Sequence, residues 1–132
     1  MTYKGPKGKA WKMFSLYIRL RDCLETTGSP DFFICPTCGL KFPASEGQAG
    51  HSIAGRGNSI LLHEEIVHCQ CRGCNMTGQY HLYSLFMIKT YGLDHWEYLC
   101  RLKKLPKPIK PHEWEEKVGI YKMKYEGLLE IC

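Results

Sequence analysis

A chain of 132 residues, 44% apolar and 23% charged, has room for one domain with a thin core, and this balance excludes a collagen-like, purely coiled-coil or wholly disordered chain. No apolar run approaches the roughly 18 residues a membrane span needs, and the basic, Gly/Pro-rich start has no apolar segment behind it, so neither a membrane span nor a secretory signal is expected. The net charge of +5 is unevenly placed: residues 1–21 hold six Lys/Arg and residues 101–112 hold five, both without an acid, whereas residues 22–100 hold four basic and eight acidic side chains. Cationic flanks around a slightly acidic centre suit a polyanion such as DNA, gripped through phosphate neutralisation and counterion release. Solvated surface lysines give the same balance.

Residues 1–9 read as a flexible basic arm. Ala10 to Cys23 has helical spacing, with Trp11, Phe14 and Ile18 on one face. Gly28 and Pro30 break that helix, and a short apolar piece begins at Phe32. Residues 47–60 read as a loop with a short strand around His51, and Ile60–Leu62 and Ile66–Cys69 as strand fragments. A helix is predicted from about Asn75 to Tyr91 on a Leu82, Leu85, Phe86 face, and another from Asp94, with Glu97 as its capping partner, to about Leu102. Three prolines make residues 105–111 a linker. The last helix, Glu113 to Ile131, repeats Trp114, Val118, Tyr121, Tyr125 and Leu128, a coiled-coil-like seam for the domain or for a second copy. The domain division is therefore an arm (1–9), a body (10–104), a linker (105–111) and a C-terminal helix (112–132).

Eight cysteines are unusual at this length. In a reducing compartment, paired cysteines more often hold metal than disulfides. Cys35-x-x-Cys38 and Cys71-x-x-Cys74 each put two thiolates on a tight turn, and two such knuckles form a tetrahedral site suited to zinc. Four thiolates fill the shell, so that zinc is structural. Disulfides and an iron–sulfur cluster are the competing readings. Cys23, Cys69, Cys100 and Cys132 read as buried or free thiols.

Between the knuckles lie Ala49-Gly50-His51, Gly55-Arg56-Gly57-Asn58, Glu64, Glu65 and His68, and Asn75 follows the last cysteine directly. A zinc-tied hairpin presenting a histidine, with a polar residue at the next helix, resembles the ββα-metal (HNH) nuclease motif. Phosphodiester hydrolysis needs a base that titrates near neutrality, which imidazole supplies, and a hard cation on oxygen ligands, which an Asn carboxamide can join. The ordered set extends further. Trp11-x-x-Phe14-Ser15-x-Tyr17-Ile18-Arg19-x-Arg21-Asp22, Thr26-Thr27-Gly28, Cys35-x-x-Cys38-Gly39, Gln48-Ala49-Gly50-His51, Gly55-Arg56, Val67-His68-x-Gln70-Cys71-x-x-Cys74-Asn75 and Tyr91-Gly92 together resemble the phage lambda-type NinG (Rap) recombination proteins. The likeness covers about residues 10–102 and weakens beyond them.

That resemblance implies an α+β fold, a small zinc-stabilised ββα-metal core with flanking helices. It implies an endonuclease cutting branched recombination intermediates (Holliday junctions or D-loops) with Mg²⁺ or Mn²⁺, in the cytoplasm of a phage-infected or prophage-carrying bacterium. His51 would be the general base and Asn75 a ligand of the catalytic ion, with Cys35, Cys38, Cys71 and Cys74 on zinc. Arg56 could clamp the scissile phosphate, or be an exposed loop arginine. His68 is a metal-binding, orienting or packing residue, and Glu64 and Glu65 are candidates for a missing carboxylate ligand. A two-fold dimer through the C-terminal helix would suit a junction with two strands to cut. Two departures stand out. Many ββα-metal nucleases carry an acidic ligand just before the histidine, where this chain and the family it resembles have glycine, Gly50. Ile66 stands where the family usually has an Asn that orients the histidine, a loss that would loosen His51 and lower the rate unless Asn58 or a backbone carbonyl substitutes. The alternative function is a zinc-knuckle nucleic-acid-binding protein without chemistry of its own.

Overall fold

The computed structural model describes residues 3–55 and 57–132, and among them the fold is mixed α+β, with six helices and two small antiparallel sheets. Helix α1 runs over Gly5–Thr27, longer at both ends than its periodicity indicates. Most of the predicted basic arm is thus its first turns, with Pro6 at a position where a missing N–H costs nothing. It stops at Gly28, whose φ of 74° is the left-handed conformation glycine adopts most readily, and the Gly28 N–H caps the Leu24 carbonyl.

Strands β1 (Phe32–Ile34) and β2 (Lys41–Pro43) form the first sheet around the first cysteine knuckle. Strand β3 (Gly47–His51) pairs with β4 (Val67–Cys71), Gly50 opposite His68 and His51 opposite Val67. The short helix α2 (Asn58–Leu61) lies between them, so the predicted strand at residues 60–62 is instead a helical turn and its continuation. Ile60 and Leu61 are apolar because both are fully buried, and a short apolar run does not distinguish strand from helix.

Helix α3 (Arg72–Thr77) follows β4 without a loop, and α4 (Tyr80–Tyr91) is separate from it. The single helix predicted there is broken at Gly78 and Gln79, both at positive φ. The buried face of α4 is also not the predicted one. Tyr83 and Met87 are buried, whereas Leu85 is 63% exposed. The Tyr83 hydroxyl decides the face: it donates to the Gly50 carbonyl (2.7 Å) and accepts from the His68 N–H (3.0 Å), bridging β3 and β4. Helix α5 (Leu93–Leu102) starts at Gly92 without a side-chain cap, so the predicted Asp94–Glu97 capping box does not set its start.

Helix α6 (Pro111–Glu130) packs along α1. Trp114 joins Ala10 and Leu61 in one buried cluster, and Tyr121 packs edge-on against Phe14 with ring centres 4.9 Å apart. Each such aromatic stabilises the fold by roughly 1.5–3 kcal/mol. The Trp114–Tyr121 part of the seam is therefore covered by α1 of the same chain. Glu64 adds a polar tie between the layers, accepting from Tyr17 Oη (3.1 Å), Tyr121 Oη (3.3 Å) and Lys124 Nζ (2.6 Å). No helix among the described residues is long and apolar enough to cross a membrane.

Candidate functional site

The cysteine knuckles meet because β1 and β4 end at the same place. Cys35 follows β1, Cys38 lies in the turn toward β2, Cys71 ends β4 and Cys74 sits in α3. Their four sulfurs all lie within 4.8 Å of one another, a group that can hold a metal ion. Cys38 Sγ and Cys71 Sγ are 4.0 Å apart, too far for a disulfide, and all eight cysteines are free. Backbone N–H groups point at two of the sulfurs, from Cys71 to Cys35 (3.4 Å) and from Cys74 to Cys71 (3.5 Å). Burial alone would raise the Cys35 thiol, but hydrogen bonds from Thr37 and from backbone N–H groups bring it down to about 7. Cys23 and Cys69 stand apart beside Phe33, where burial pushes the first up to about 11 and the second further still.

His51 ends β3 and is only 7% exposed. Trp11 stacks on its ring at 5.4 Å, nearly parallel, so α1 lays an aromatic ring directly on the imidazole. His51 Nε2 is 3.1 Å from the Leu61 carbonyl oxygen. A carbonyl only accepts, so Nε2 carries the proton and, in the neutral ring, Nδ1 is the basic nitrogen. The backbone carbonyl thus orients the ring. Asn58, the other candidate for that task, begins α2, and Ile66 is fully buried. Arg56 lies outside the described residues.

Asn75 comes to the same end of the hairpin. Its Nδ2 donates to Gln48 Oε1 at 2.8 Å. Its Oδ1 is 2.8 Å from the point where a Cβ on Gly50 would stand, and that same Cβ would overlap the buried Gln70 Oε1. Gln70 Nε2 is turned away, 3.2 Å from Thr37 Oγ1 in the first knuckle. Two carboxamide oxygens therefore converge beside the Gly50 backbone, one residue before His51 in the strand. Strand alternation turns residues 50 and 51 to opposite faces of the hairpin. Gln48 and Gln70 face each other across the sheet, and the sequence reading did not single them out. Their signal was the alternating Gln48-x-Gly50 and His68-x-Gln70, polar pairs in strands that are otherwise buried.

The remaining candidates have other partners. His68 Nδ1 is 3.3 Å from both Asp22 Oδ2 and Arg21 Nη2, and its Nε2 is 3.0 Å from the Glu65 carbonyl and 3.1 Å from Tyr91 Oη. Both ring nitrogens are thus engaged, and His68 acts as a strut between α1 and the hairpin. Asp22 is the centre of that strut, accepting also from Arg21 Nε (2.8 Å) and from the Cys69 N–H (2.7 Å). Burial alone would raise the Asp22 carboxyl, but His68 and Arg21 together outweigh it and hold it below the usual carboxylate range. Glu65 faces His95 Nε2 at 2.9 Å, and Glu64 ties α1 to α6, so neither carboxylate has Asn75 as a partner. No protein-family model, curated protein or solved structure matches this chain.

Proposed function

We propose that this protein is a metal-dependent DNA endonuclease of the ββα-metal type, acting on branched DNA, with a structural zinc on Cys35, Cys38, Cys71 and Cys74. The spacing of the sulfurs supports zinc: thiolates about 2.3 Å from a tetrahedral ion lie about 3.8 Å from one another, close to the 4.0 Å between Cys38 and Cys71. The observation that carries the catalytic reading is the hairpin end. His51, fixed through Nε2 by the Leu61 carbonyl, ends β3 one residue after Gly50. Gln70 Oε1 and Asn75 Oδ1 converge beside Gly50 on the opposite face of the hairpin, so catalysis requires the scissile phosphate and its ion to sit at the end of β3, where the two faces meet.

Those neutral oxygens suit a hard cation such as Mg²⁺ or Mn²⁺, which would stabilise charge on the scissile phosphate. His51 Nδ1, which is buried in this structure, would take a proton from the attacking water once that nitrogen is opened to solvent. Without a carboxylate beside them, the carboxamides rely on the phosphate for the ion's counter-charge. The resemblance to the NinG (Rap) proteins supports branched recombination intermediates as the substrate class.

The burial of His51 favours a second reading, a zinc-clasped nucleic-acid-binding protein without chemistry. A synthetic four-way junction incubated with Mg²⁺ or Mn²⁺ separates the two. Cleavage by the wild type, lost in His51→Ala with binding retained, supports the nuclease. Binding without cleavage under either ion refutes it and leaves the adaptor.

A further inference from the structure

Residues 105–111 read from composition as a linker, yet with Lys103 and Lys104 before them they are part of a wall. Ile109 packs into the Ala10, Leu61, Trp114 cluster and anchors the segment to the body. Pro106 and Pro108 fix φ at their positions and keep the segment out of a helix. Lysines 103, 104 and 107 are held along the open side of that wall, exposed to solvent.

The wall faces α2. An open trough of about 620 Å³ has Gly57, Asn58 and Ser59 on one side and Lys103, Lys104 and Lys107 on the other. A smaller pocket shares Asn58, Ser59 and Lys107 with it and adds Lys117. No Asp or Glu lines either concavity, and none of these four lysines is in an ion pair among the described residues. The trough also reaches the loop that leaves β3. Lys103 Nζ lies 3.6 Å from the point where a Cβ on Gly55 would stand, four residues beyond His51.

We infer that this trough is the track for a nucleic-acid phosphate backbone, leading from the lysine wall to the His51 loop. Uncompensated lysines neutralise phosphates, and the Asn58 and Ser59 side chains offer neutral donors to the same oxygens. No aromatic ring lines the larger trough to stack a base, so the contact reads backbone and not sequence. Because the prolines and Ile109 hold the lysines in place, little ordering remains for binding to impose. An acidic protein segment is the other polyanion such a surface meets. The trough's continuity with the His51 loop favours nucleic acid, and in that choice of partner the inference rests on the proposed function.

The test measures affinity for a short fluorescein-labelled DNA duplex against salt, without added divalent ion, so that cleavage does not enter. The variant is Lys103→Gln/Lys104→Gln/Lys107→Gln, and the control is Lys41→Gln/Lys89→Gln/Lys122→Gln, three exposed lysines elsewhere. At about 0.9 counterions per phosphate contact, the trough variant loses roughly 2.7 from the slope of log K against log salt, and about 100-fold in affinity near 0.15 M salt. Expected is that loss in the trough variant, a much smaller change in the control, and unchanged melting temperatures for both. An unchanged slope in the trough variant, or an equal loss in the control, overturns the inference. So does a trough variant that loses affinity for polyglutamate but not for DNA. The reading does not depend on catalysis: a slope loss in a protein that cleaves nothing leaves the track standing and removes the nuclease.

Discussion

Replacing Gly50 with alanine puts a methyl carbon into space that Gln70 already fills. That carbon would overlap Gln70 Oε1 and stand 2.8 Å from Asn75 Oδ1 and 2.9 Å from Gln70 Cδ. The end of a glutamine can usually swing aside. Here the side chain is 1% exposed and its amide is held by Thr37, so swinging aside breaks that bond and leaves buried polar atoms without partners. A lost hydrogen bond costs about 1 kcal/mol and a stranded buried polar group about 1–3 kcal/mol more, so Gly50→Ala destabilises by about 3 kcal/mol. For a chain of 132 residues this lowers the melting temperature by roughly 10 °C. Urea denaturation of Gly50→Ala, Gln70→Ala and the double variant closes a mutant cycle. The double variant should recover most of the Gly50→Ala loss measured against Gln70→Ala, because the obstructing carboxamide is gone. A Gly50→Ala protein within about 0.5 kcal/mol of wild type, or an equal penalty in both backgrounds, refutes the steric account. The same crowding leaves no room for any side chain at position 50: Gln70 and Asn75 occupy the place it would need.

Further outcomes follow from the rest of the structure. Cys71→Ser should abolish stoichiometric zinc and lower the melting temperature, read by metal analysis and calorimetry, and a variant that retains one zinc per chain would contradict the tetrathiolate site. Asp22→Asn leaves Arg21 and His68 without their shared buried carboxylate and should cost about 3 kcal/mol in urea denaturation at neutral pH. Because the folded Asp22 carboxyl is held below its ordinary value, its stabilisation is present above about pH 4 and disappears as pH falls through the depressed folded value. The stability–pH curve of Asp22→Asn should therefore be flatter in that acid range, and an unchanged acid limb would refute this role. Tyr83→Phe removes one hydroxyl from two buried backbone partners and should cost about 2 kcal/mol, with helix content unchanged by circular dichroism.

The four-cysteine cluster was legible in the sequence because a two-residue spacing within each knuckle forces two thiols onto one turn, whatever surrounds it. The His51 strand, the break after Thr27 and the pattern of the last helix were legible for the same local reason. What local pattern did not reveal was which face each element turns inward. Helix α4 offered Leu82, Leu85 and Phe86 as readily as Tyr83 and Met87, and only the Gly50 carbonyl and His68 N–H beside Tyr83 settled it. Residues 105–111 read as a linker because proline forbids a helix there, a rule that is silent on whether the chain then packs against the body. The carboxamides of Gln48, Gln70 and Asn75 lie 27 and 5 residues apart at their closest sequence separations to Asn75, and the Leu61 carbonyl orients His51 across ten residues. Spacing determines what a turn can hold, whereas the Leu61 carbonyl carries no sequence signature and the amides only the faint one of polar residues in buried strands, and it is the folding of α2 and α3 back onto the hairpin that brings them together.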